Sequence, residues 1–428
     1  MDPGTVLACS LSFLIGAGFG TFSGLVPGIH VNALASFMLA FYPSVAGFFG
    51  EISGPENAGT AVCCCIMSAS VVHSFLDFVP SVFIGAPDSE DSVSVLPGHR
   101  LLLAGRGMEA VRAAAAGSLV GTSCAIALAV PFQILMHSGG REIMESATPF
   151  AVAAVSAILI TAQFRRGSGP AGIAAFLISG AVGLGVMFLP IPSYGIAGEG
   201  SLMFPMLTGL FGVPVLLGMS SAGKIPEQED CGNPEVARSG LRGVIMGCAA
   251  GWFPGITATA GASVSACFMP ENKPEKFIAA VASIGSVTAV LSLVTLSVSG
   301  GGRSGTALAI GKIAGDSLSG IASETFMIIL RAAAAASLSG YILTIGSGKL
   351  FARIAGSADS RSLSRKVFAA DVILVLVLTG PFGLIVLAVS SLAGFIPDYF
   401  GTDRTILCGC LLVPVILMNL RAWTPPSP

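Results

Sequence analysis

The chain has 428 residues, of which 53% are hydrophobic and only 10% are charged, and its mean hydropathy is +0.86. Soluble domains carry about 25% charged residues, so this composition excludes a water-soluble globular protein. The formal net charge of −2 gives no basic surface for nucleic acid. Apolar stretches of about 20 residues recur along the chain, and each is long enough to cross a bilayer core of roughly 30 Å. The sequence therefore predicts an all-α polytopic membrane protein.

The apolar stretches predict roughly 11–13 membrane segments. In chain order they lie at about 5–24, 28–48, 59–86, 109–136, 146–164, 170–190, 201–221, 239–253, 255–269, 277–299, 322–346, 367–395 and 405–421. No basic region precedes the first segment, so no cleaved signal peptide is expected. Loops rich in Arg and Lys alternate with acidic or neutral loops, and the positive-inside rule then predicts a cytoplasmic C-terminus.

One segment of the chain occurs twice. Residues 16–43, GAGFGTFSGLVPGIHVNALASFMLAFYP, align without a gap with residues 243–270, GVIMGCAAGWFPGITATAGASVSACFMP, and 11 of the 28 positions are identical. In both copies, three glycines spaced four apart are followed by Pro-Gly-Ile. We therefore predict a first transmembrane repeat at 1–220, a polar linker at 221–238 and a second transmembrane repeat at 239–428.

The Pro27-Gly28 and Pro254-Gly255 pairs are expected to interrupt membrane helices. Proline removes a backbone donor and glycine permits a sharp bend, and a broken helix at membrane depth lines a cavity or is buried in protein. The loop charges put the two breaks on opposite sides, so we expect inverted repeats with broken helices or re-entrant hairpins. Such pairs indicate the midplane substrate site of a secondary transporter. Free amides at the start of each half-helix favour an anion.

The two G-x-x-P-G segments, the duplicated halves and the length resemble those of the TctA family, the large membrane subunit of tripartite tricarboxylate transporters. PGIHVNALA, HSFLDFVPSVFIGAPD and VLPGHRLLLAGRG further resemble a stand-alone prokaryotic branch that is well represented in archaea. The resemblance implies a permease in a prokaryotic plasma membrane that imports carboxylates with a small membrane subunit and an extracytoplasmic binding protein. The chain departs from the tricarboxylate members at His30 and Asn32, where they have small residues and threonine.

Polar residues follow both breaks. His30 and Asn32 follow the first, and Thr257 and Thr259 occupy the equivalent positions after the second. An imidazole and an amide on one hairpin, facing two hydroxyls on the other, would make a two-sided substrate cage with the Pro-Gly turns. Two alternatives stay open: the threonines can bond to their own helix, and His30 can be a packing residue. An ionisable group beside a helix break in a membrane favours function.

His73 and Asp77 are four residues apart, so they lie on one face of a predicted membrane helix. Both groups are costly in lipid unless they are paired or hydrated, and together they are a candidate relay for H⁺ or Na⁺. Pro80 and Pro87 predict kinks that bring Asp88 toward the cavity. The alternative is a helix-stabilising pair that faces a water pocket without a role in transport.

The second repeat has SGGGRSGTALAIGK where the first has IGAPDSEDSVSVLPG, and this alignment sets Arg303 opposite Asp88. The glycines before Arg303 predict a loop whose amides, with the guanidinium and the adjacent Ser304, hold an oxyanion. An exposed loop at the membrane surface is the alternative. His99 and Arg100 are assigned to a cytoplasmic basic loop.

These features favour a secondary-active permease for a small organic anion, a carboxylate, coupled to H⁺ or Na⁺. The alternative is a translocase of polyprenyl phosphate or another lipid phosphate, which a lateral opening to lipid would favour. An enzyme is not expected, because no catalytic triad, metal-ligand set or ATP-binding P-loop has suitable spacing. No cofactor, metal or nucleic-acid partner is predicted, and the sequence leaves open whether two copies form a homodimer.

Overall fold

The computed structural model describes residues 3–26, 31–85, 94–195, 198–199, 201–219, 225–230, 232–253, 258–268, 273–301, 304–356 and 360–419. The helices of the first half are α1 (Pro3–Leu25), α2 (Val31–Ala40), α3 (Tyr42–Ser53), α4 (Pro55–Leu76), α5 (Phe78–Ile84), α6 (Val95–Leu103), α7 (Gly107–Leu135), α8 (Arg141–Arg165), α9 (Gly169–Phe188), α10 (Met203–Leu207) and α11 (Val213–Met219). A short antiparallel pair, β1 (Tyr194–Gly195) and β2 (Gly198–Glu199), follows α9.

The second half contains α12 (Ala237–Trp252), α13 (Ala258–Phe268), α14 (Pro274–Ser299), α15 (Gly305–Ala314), α16 (Glu324–Gly356), α17 (Ser360–Gly394), α18 (Ile396–Phe400) and α19 (Gly409–Asn419). Two π-helical turns, Met136–Gly140 and Thr208–Gly212, and two 3₁₀ turns, Gly315–Leu318 and Arg404–Cys408, join neighbouring helices. Helix α17 is interrupted at Gly380, whose φ is 73°.

The helices confirm an all-α polytopic membrane protein. Among the described residues, eight helical stretches are long and apolar enough to cross a membrane: Pro3–Leu25, Pro55–Ile84, Gly107–Met144, Ser146–Arg165, Gly169–Phe188, Pro274–Ser299, Glu324–Ala355 and Ser364–Phe400. The predicted segments at 28–48, 201–221, 239–253, 255–269 and 405–421 form shorter helices instead. Two of these shorter stretches, Met203–Leu217 and Arg404–Met418, are apolar.

The duplicated glycines make a flat helix face in α1, which packs directly on α4. A Cβ atom added to Gly20 would lie 2.5 Å from the Ala69 carbonyl oxygen, and one added to Gly24 would lie 2.8 Å from Leu76 Cβ. Real Cβ atoms do not approach other atoms this closely, so only glycine permits this spacing of the two backbones. In lipid, where apolar tails compete equally well for apolar side chains, close backbone packing is a main source of helix association.

The second copy of the glycine face packs in the same way. In α12, a Cβ atom on Gly247 would lie 2.7 Å from Val287 Cβ of α14, and one on Gly251 would lie 3.0 Å from Leu291 Cβ. The corresponding contacts of α1 are with Val72 and Leu76 of α4. The partner positions in α14 therefore follow those in α4 with a constant offset of 215 residues.

The helices on which the two glycine faces pack, α4 with its continuation α5 and α14, also end 215 residues apart. Gly85 ends α5, which continues α4, with a left-handed φ of 76°, and Gly300 ends α14 with a left-handed φ of 68°. Three residues further on, the offset pairs Asp88 with Arg303, the register that the sequence alignment used. The matching contacts support a duplicated structure, while the inverted relation of the repeats and their exact boundaries stay predictions.

The two halves of the chain are interleaved. Besides its own glycine helix α1, α4 packs against α15 and α16 of the second half, and α14 packs against α6 and α7 of the first. One core of buried residues contains the glycine-face helix α1 and its partner α4 together with α15 and α16. Neither half could therefore form its core without the other.

The glycine faces predict which substitutions the fold tolerates. Gly20→Val should destabilise the protein by about 1–3 kcal/mol or more, because its side chain overlaps the α4 backbone. Gly18 lies on the same helix with nothing within 4 Å of an added Cβ, so Gly18→Val is the matched control and should leave stability unchanged. Melting temperature and monodispersity in detergent measure both. Equal behaviour of the two variants would contradict the close packing of α1 on α4.

Candidate functional site

Both predicted helix breaks fall between helices that end and begin around them. Helix α1 ends at Leu25 and α2 begins at Val31, and α12 ends at Trp252 and α13 begins at Ala258. Both Pro-Gly pairs lie in the intervals between these helices, outside the described residues, so a break at each pair stays a prediction. Eight of the predicted site residues lie outside the described residues: Pro27, Gly28, His30, Asp88, Pro254, Gly255, Thr257 and Arg303.

His73 and Asp77 lie beside the end of α1, immediately before the first break. They are 4% and 5% exposed, so both are held inside the helix bundle. His73 Nδ1 is 2.9 Å from Ser23 Oγ in a hydrogen bond whose direction depends on the imidazole tautomer. A Cβ atom on Gly24 would lie 3.1 Å from the His73 carbonyl oxygen and 3.3 Å from the Asp77 amide nitrogen. The glycine face therefore determines how closely the backbone at His73 and Asp77 approaches the last turn of α1.

The second repeat has hydroxyls where the first has this ionisable pair. The offset of 215 places Thr288 opposite His73 and Ser292 opposite Asp77. Thr288 Oγ1 donates to the Ile284 carbonyl at 2.8 Å, so it is bonded within its own helix, and Ser292 Oγ likewise donates at 2.7 Å to a carbonyl of the preceding turn. The two repeats are therefore alike in backbone packing and different in chemistry.

Asn32 joins the chain after the first break to the start of α15. Its Oδ1 accepts a hydrogen bond from the Thr306 amide at 3.1 Å, and Asn32 Cβ lies 2.8 Å from the position of a Cβ on Gly305. Ser304 caps the same helix, because its Oγ accepts from the Ala307 amide at 3.1 Å. Two predicted site residues from different halves of the chain therefore meet at one helix N-terminus.

The end of α1, which lies beside His73 and Asp77, is close in sequence to Asn32, which contacts the start of α15. The segment from Val26 to Val31 connects them, and five residue steps span at most about 18 Å. Ser304, the first described residue after the second-repeat glycines, caps the same helix. The described residues that follow the first break and the glycine loop, Asn32 and Ser304, thus meet at one helix end.

Thr259 has different surroundings from its counterpart Asn32. It is 2% exposed, and its carbonyl accepts from Ser263 Oγ at 2.9 Å and from Cys408 Sγ at 3.8 Å. These contacts connect α13 to the 3₁₀ turn Arg404–Cys408, whereas Asn32 contacts α15. The proposed pairing of Thr259 with Asn32 across one cage stays a prediction.

The comparisons with known proteins bear on the whole chain. Residues 11–409 match the family model described as "Tripartite tricarboxylate transporter TctA family". The chain belongs to the TctA family. It is also 29% identical over 306 residues to the uncharacterized protein MJ1079 of Methanocaldococcus jannaschii, which covers 70% of this chain and 72% of that protein. No solved structure matches the chain.

Because the chain belongs to a transporter family, its acidic cavity can be assessed as a candidate substrate site. A cavity of about 500 Å³ lies where the N-termini of α4 and α16 meet the end of α15, and Glu56 and Glu324 line it together with Tyr42 and Asn57. Two carboxylates disfavour an anion in the same space because like charges repel. This cavity is consequently not the predicted anion site of this TctA-family chain.

The structure corrects the assignment of His99 to an exposed basic loop. Residues 95–103 form α6, in which Arg100 is exposed but His99 is only 2% exposed. Within the described part of the chain, neither ring nitrogen of His99 has a hydrogen-bond partner that satisfies distance and angle. Burial lowers the pKa of His99 to about 4, with a smaller opposing effect of the Val82 backbone. The sequence signal was weak, because Arg100 beside it made the segment resemble a surface loop.

The buried His99 predicts a pH-dependent stability. An unfolded chain binds a proton at histidine near pH 6.5 whereas the folded protein does so only near pH 4, so stability is retained above about pH 6.5 and falls as the pH drops through this window. The loss is at most about 3 kcal/mol. His99→Gln should flatten the dependence of melting temperature on pH between these limits.

His137 is exposed, so His137→Gln is the matched control and should keep the parental pH profile. A His99→Gln variant with the same slope as the parent would show that His99 does not titrate differently in the folded and unfolded states.

Proposed function

We propose that this protein is a secondary-active permease that moves a small carboxylate across the plasma membrane of a prokaryote, coupled to H⁺ or Na⁺. The anion would bind near the midplane, between the segments Pro27–Asn32 and Pro254–Thr259, with Arg303 and Ser304 beside it. The observation that carries this proposal is the hydrogen bond from the Thr306 amide to Asn32 Oδ1, 3.1 Å long. It ties the first Pro-Gly segment to the helix that follows Arg303.

The positive charge for the anion would come from Arg303 rather than from α15. The caps from Asn32 and Ser304 occupy the amides of Thr306 and Ala307, so these two donors are not free for a ligand. A guanidinium can form two parallel hydrogen bonds with one carboxylate. The glycines before Arg303 would let the backbone come close to the bound anion.

His73 and Asp77 would carry the coupling ion. They are buried next to the last turn of α1, and Ser23 bonds to His73. A change of charge at this position would alter the electrostatic environment of the Pro27–His30 segment, because the glycine face holds α1 closely against α4. The second repeat, which has hydroxyls at these positions, would not take part in coupling.

The family name supports partners for this proposal, and the distribution of basic loops supports an orientation. We propose that a small membrane subunit and an extracytoplasmic binding protein deliver the substrate, as the name of the tripartite family implies, and that the C-terminus is cytoplasmic. Co-purification from the native membrane tests the first point. Accessibility of a C-terminal tag in sealed inside-out and right-side-out vesicles tests the second.

A thermal-shift screen of the purified protein tests the substrate class. Citrate, succinate and other carboxylates should raise the melting temperature in proportion to their affinity, and a polyprenyl phosphate serves as the competing class. Stabilisation by the lipid phosphate with none by any carboxylate would overturn the proposal and favour a lipid-phosphate translocase.

Asn32 provides a sharper test of the site. Asn32→Asp keeps the acceptor for the Thr306 amide, and a negative charge at a helix N-terminus is favourable, so the fold should retain its melting temperature. The added charge beside the proposed anion should nevertheless weaken citrate binding by about tenfold or more. Isothermal titration measures the affinity, and Ser36→Ala, an exposed position one turn along α2, is the control. Unchanged citrate affinity in Asn32→Asp would place the site elsewhere.

The coupling role predicts a specific loss in Asp77→Asn. The amide keeps the shape of the carboxyl group but cannot exchange a proton, so proton- or sodium-driven uptake into proteoliposomes should fall to background. Citrate binding should remain within about threefold of the parent. Asp316→Asn, at an exposed carboxylate, is the control. Normal uptake with normal pH dependence in Asp77→Asn would assign the His73–Asp77 pair to structure alone.

A further inference from the structure

A further ionisable group, which is not among the predicted site residues, lies in a helix that is long and apolar enough to cross the membrane. Asp371 is in α17, two turns before the interruption at Gly380, and it is 2% exposed. Within the described ranges, its Oδ2 atom has no hydrogen-bond partner and no access to solvent. Neither the duplicated motif nor the His73–Asp77 pair includes this residue.

The residues one turn before and one turn after Asp371 on α17 are apolar. Val367, one turn before, shares a buried cluster with Leu216 of α11, and Val375, one turn after, shares another with Val213 of α11 and Leu387 of α17. Residues four apart lie on one face of a helix, so the face of α17 that includes Asp371 is the one whose buried residues cluster with α11. The sequence of α11, VPVLLGM, has no polar side chain to offer it.

No described cation faces Asp371. Helices α5, α9, α10 and α11 and the π-helical turn Thr208–Gly212, which pack against α17, contain no titratable residue. On α17 itself, Arg361, Arg365 and Lys366 are exposed. Of the two strands, β1 carries Tyr194, whose carbonyl oxygen lies near Gly380, and β2 carries Glu199, while α18 carries Asp398 and Tyr399 at the far end of α17.

His99 on α6 is a buried basic side chain near this junction. Its Nε2 lies 2.5 Å, and Leu216 Cδ2 3.0 Å, from the position of a Cβ on Gly85, so the imidazole lies next to Leu216. Burial lowers the pKa of His99 to about 4, and the ring is therefore neutral near pH 7. It cannot act as the counter-cation of a carboxylate.

A carboxylate without a cation or hydrogen-bond donor is costly inside an apolar bundle, by several kcal/mol or more. We propose that Asp371 carries a proton in this conformation and is a proton-exchange site of the permease, separate from His73 and Asp77. The site lies at the junction of α11 and α17, beside Leu216. Its charge state is tied to the packing of these helices, because the charged form requires water or a donor that the present packing keeps from Oδ2.

The exchange is a simple acid–base step. When α11 separates from this face of α17 and water enters, the O–H bond at Oδ2 breaks, the proton passes to water, and the electron pair stays on the carboxylate. Reprotonation from water restores the neutral acid before the helices close again. This step depends on the proposed function only for its place in a transport cycle, since protonation of Asp371 needs no substrate.

Dicyclohexylcarbodiimide tests the proposal directly, because it modifies protonated carboxyl groups in apolar surroundings. The full-length protein in detergent should form the adduct at Asp371, identified by peptide mass spectrometry, at about pH 6, and at least about tenfold more slowly at about pH 9. Asp398, exposed and 2.5 Å from Arg404 Nη2, is the internal control and should stay unmodified. Absence of an adduct at Asp371 at the lower pH overturns the proposal.

The variant Asp371→Asn supplies a second readout that does not depend on access of the reagent. If the native group is a neutral acid, the neutral amide should leave the melting temperature within about 2 °C of the parent. A fall of about 5 °C or more would mean that a charged, paired carboxylate had been removed, and it would overturn the proposal. Neither measurement uses a substrate, so a failure of carboxylate transport would leave both results unchanged.

Discussion

The close packing of one helix backbone on another is the constraint on which the rest of this structure depends. In α1 and α12 glycines recur every fourth residue, and a Cβ atom at Gly20 or Gly247 would overlap the partner helix. Lipid supplies no hydrophobic force that favours helix–helix contact over helix–lipid contact, so shape at short range has to do so. The same contact pattern, repeated 215 residues later in α14, is the clearest structural sign of duplication in this chain.

This packing also determines where the site residues lie. Because α1 is held against α4 up to Gly24, its last turn ends beside His73 and Asp77, and the Pro-Gly segment begins there. On the far side of the segment, Asn32 bonds to the first turn of α15. The described residues on the two sides of the segment are thus held by one helix of their own half and by one helix of the other.

The chemistry of the two repeats has diverged while their packing has not. The first repeat carries an imidazole and a carboxylate where the second carries two hydroxyls bonded within their helix. Charges inside a membrane protein are costly unless they are paired or hydrated, so a chain retains few of them. His73, Asp77 and Asp371 are buried ionisable side chains inside helices that are long and apolar enough to cross the membrane.

The membrane class, the long helices and the glycine faces could be predicted from the sequence, because they follow from local composition and from residues at fixed spacing in one helix. The breaks at the two Pro-Gly pairs and the alignment of Asp88 with Arg303 stay predictions, because these residues lie outside the described ranges. The sequence did not identify the partner of Asn32, the burial of His99 or the isolation of Asp371. Those depend on contacts between residues far apart in the chain, and only the tertiary structure decides which distant helix covers a given polar side chain and thereby excludes water from it.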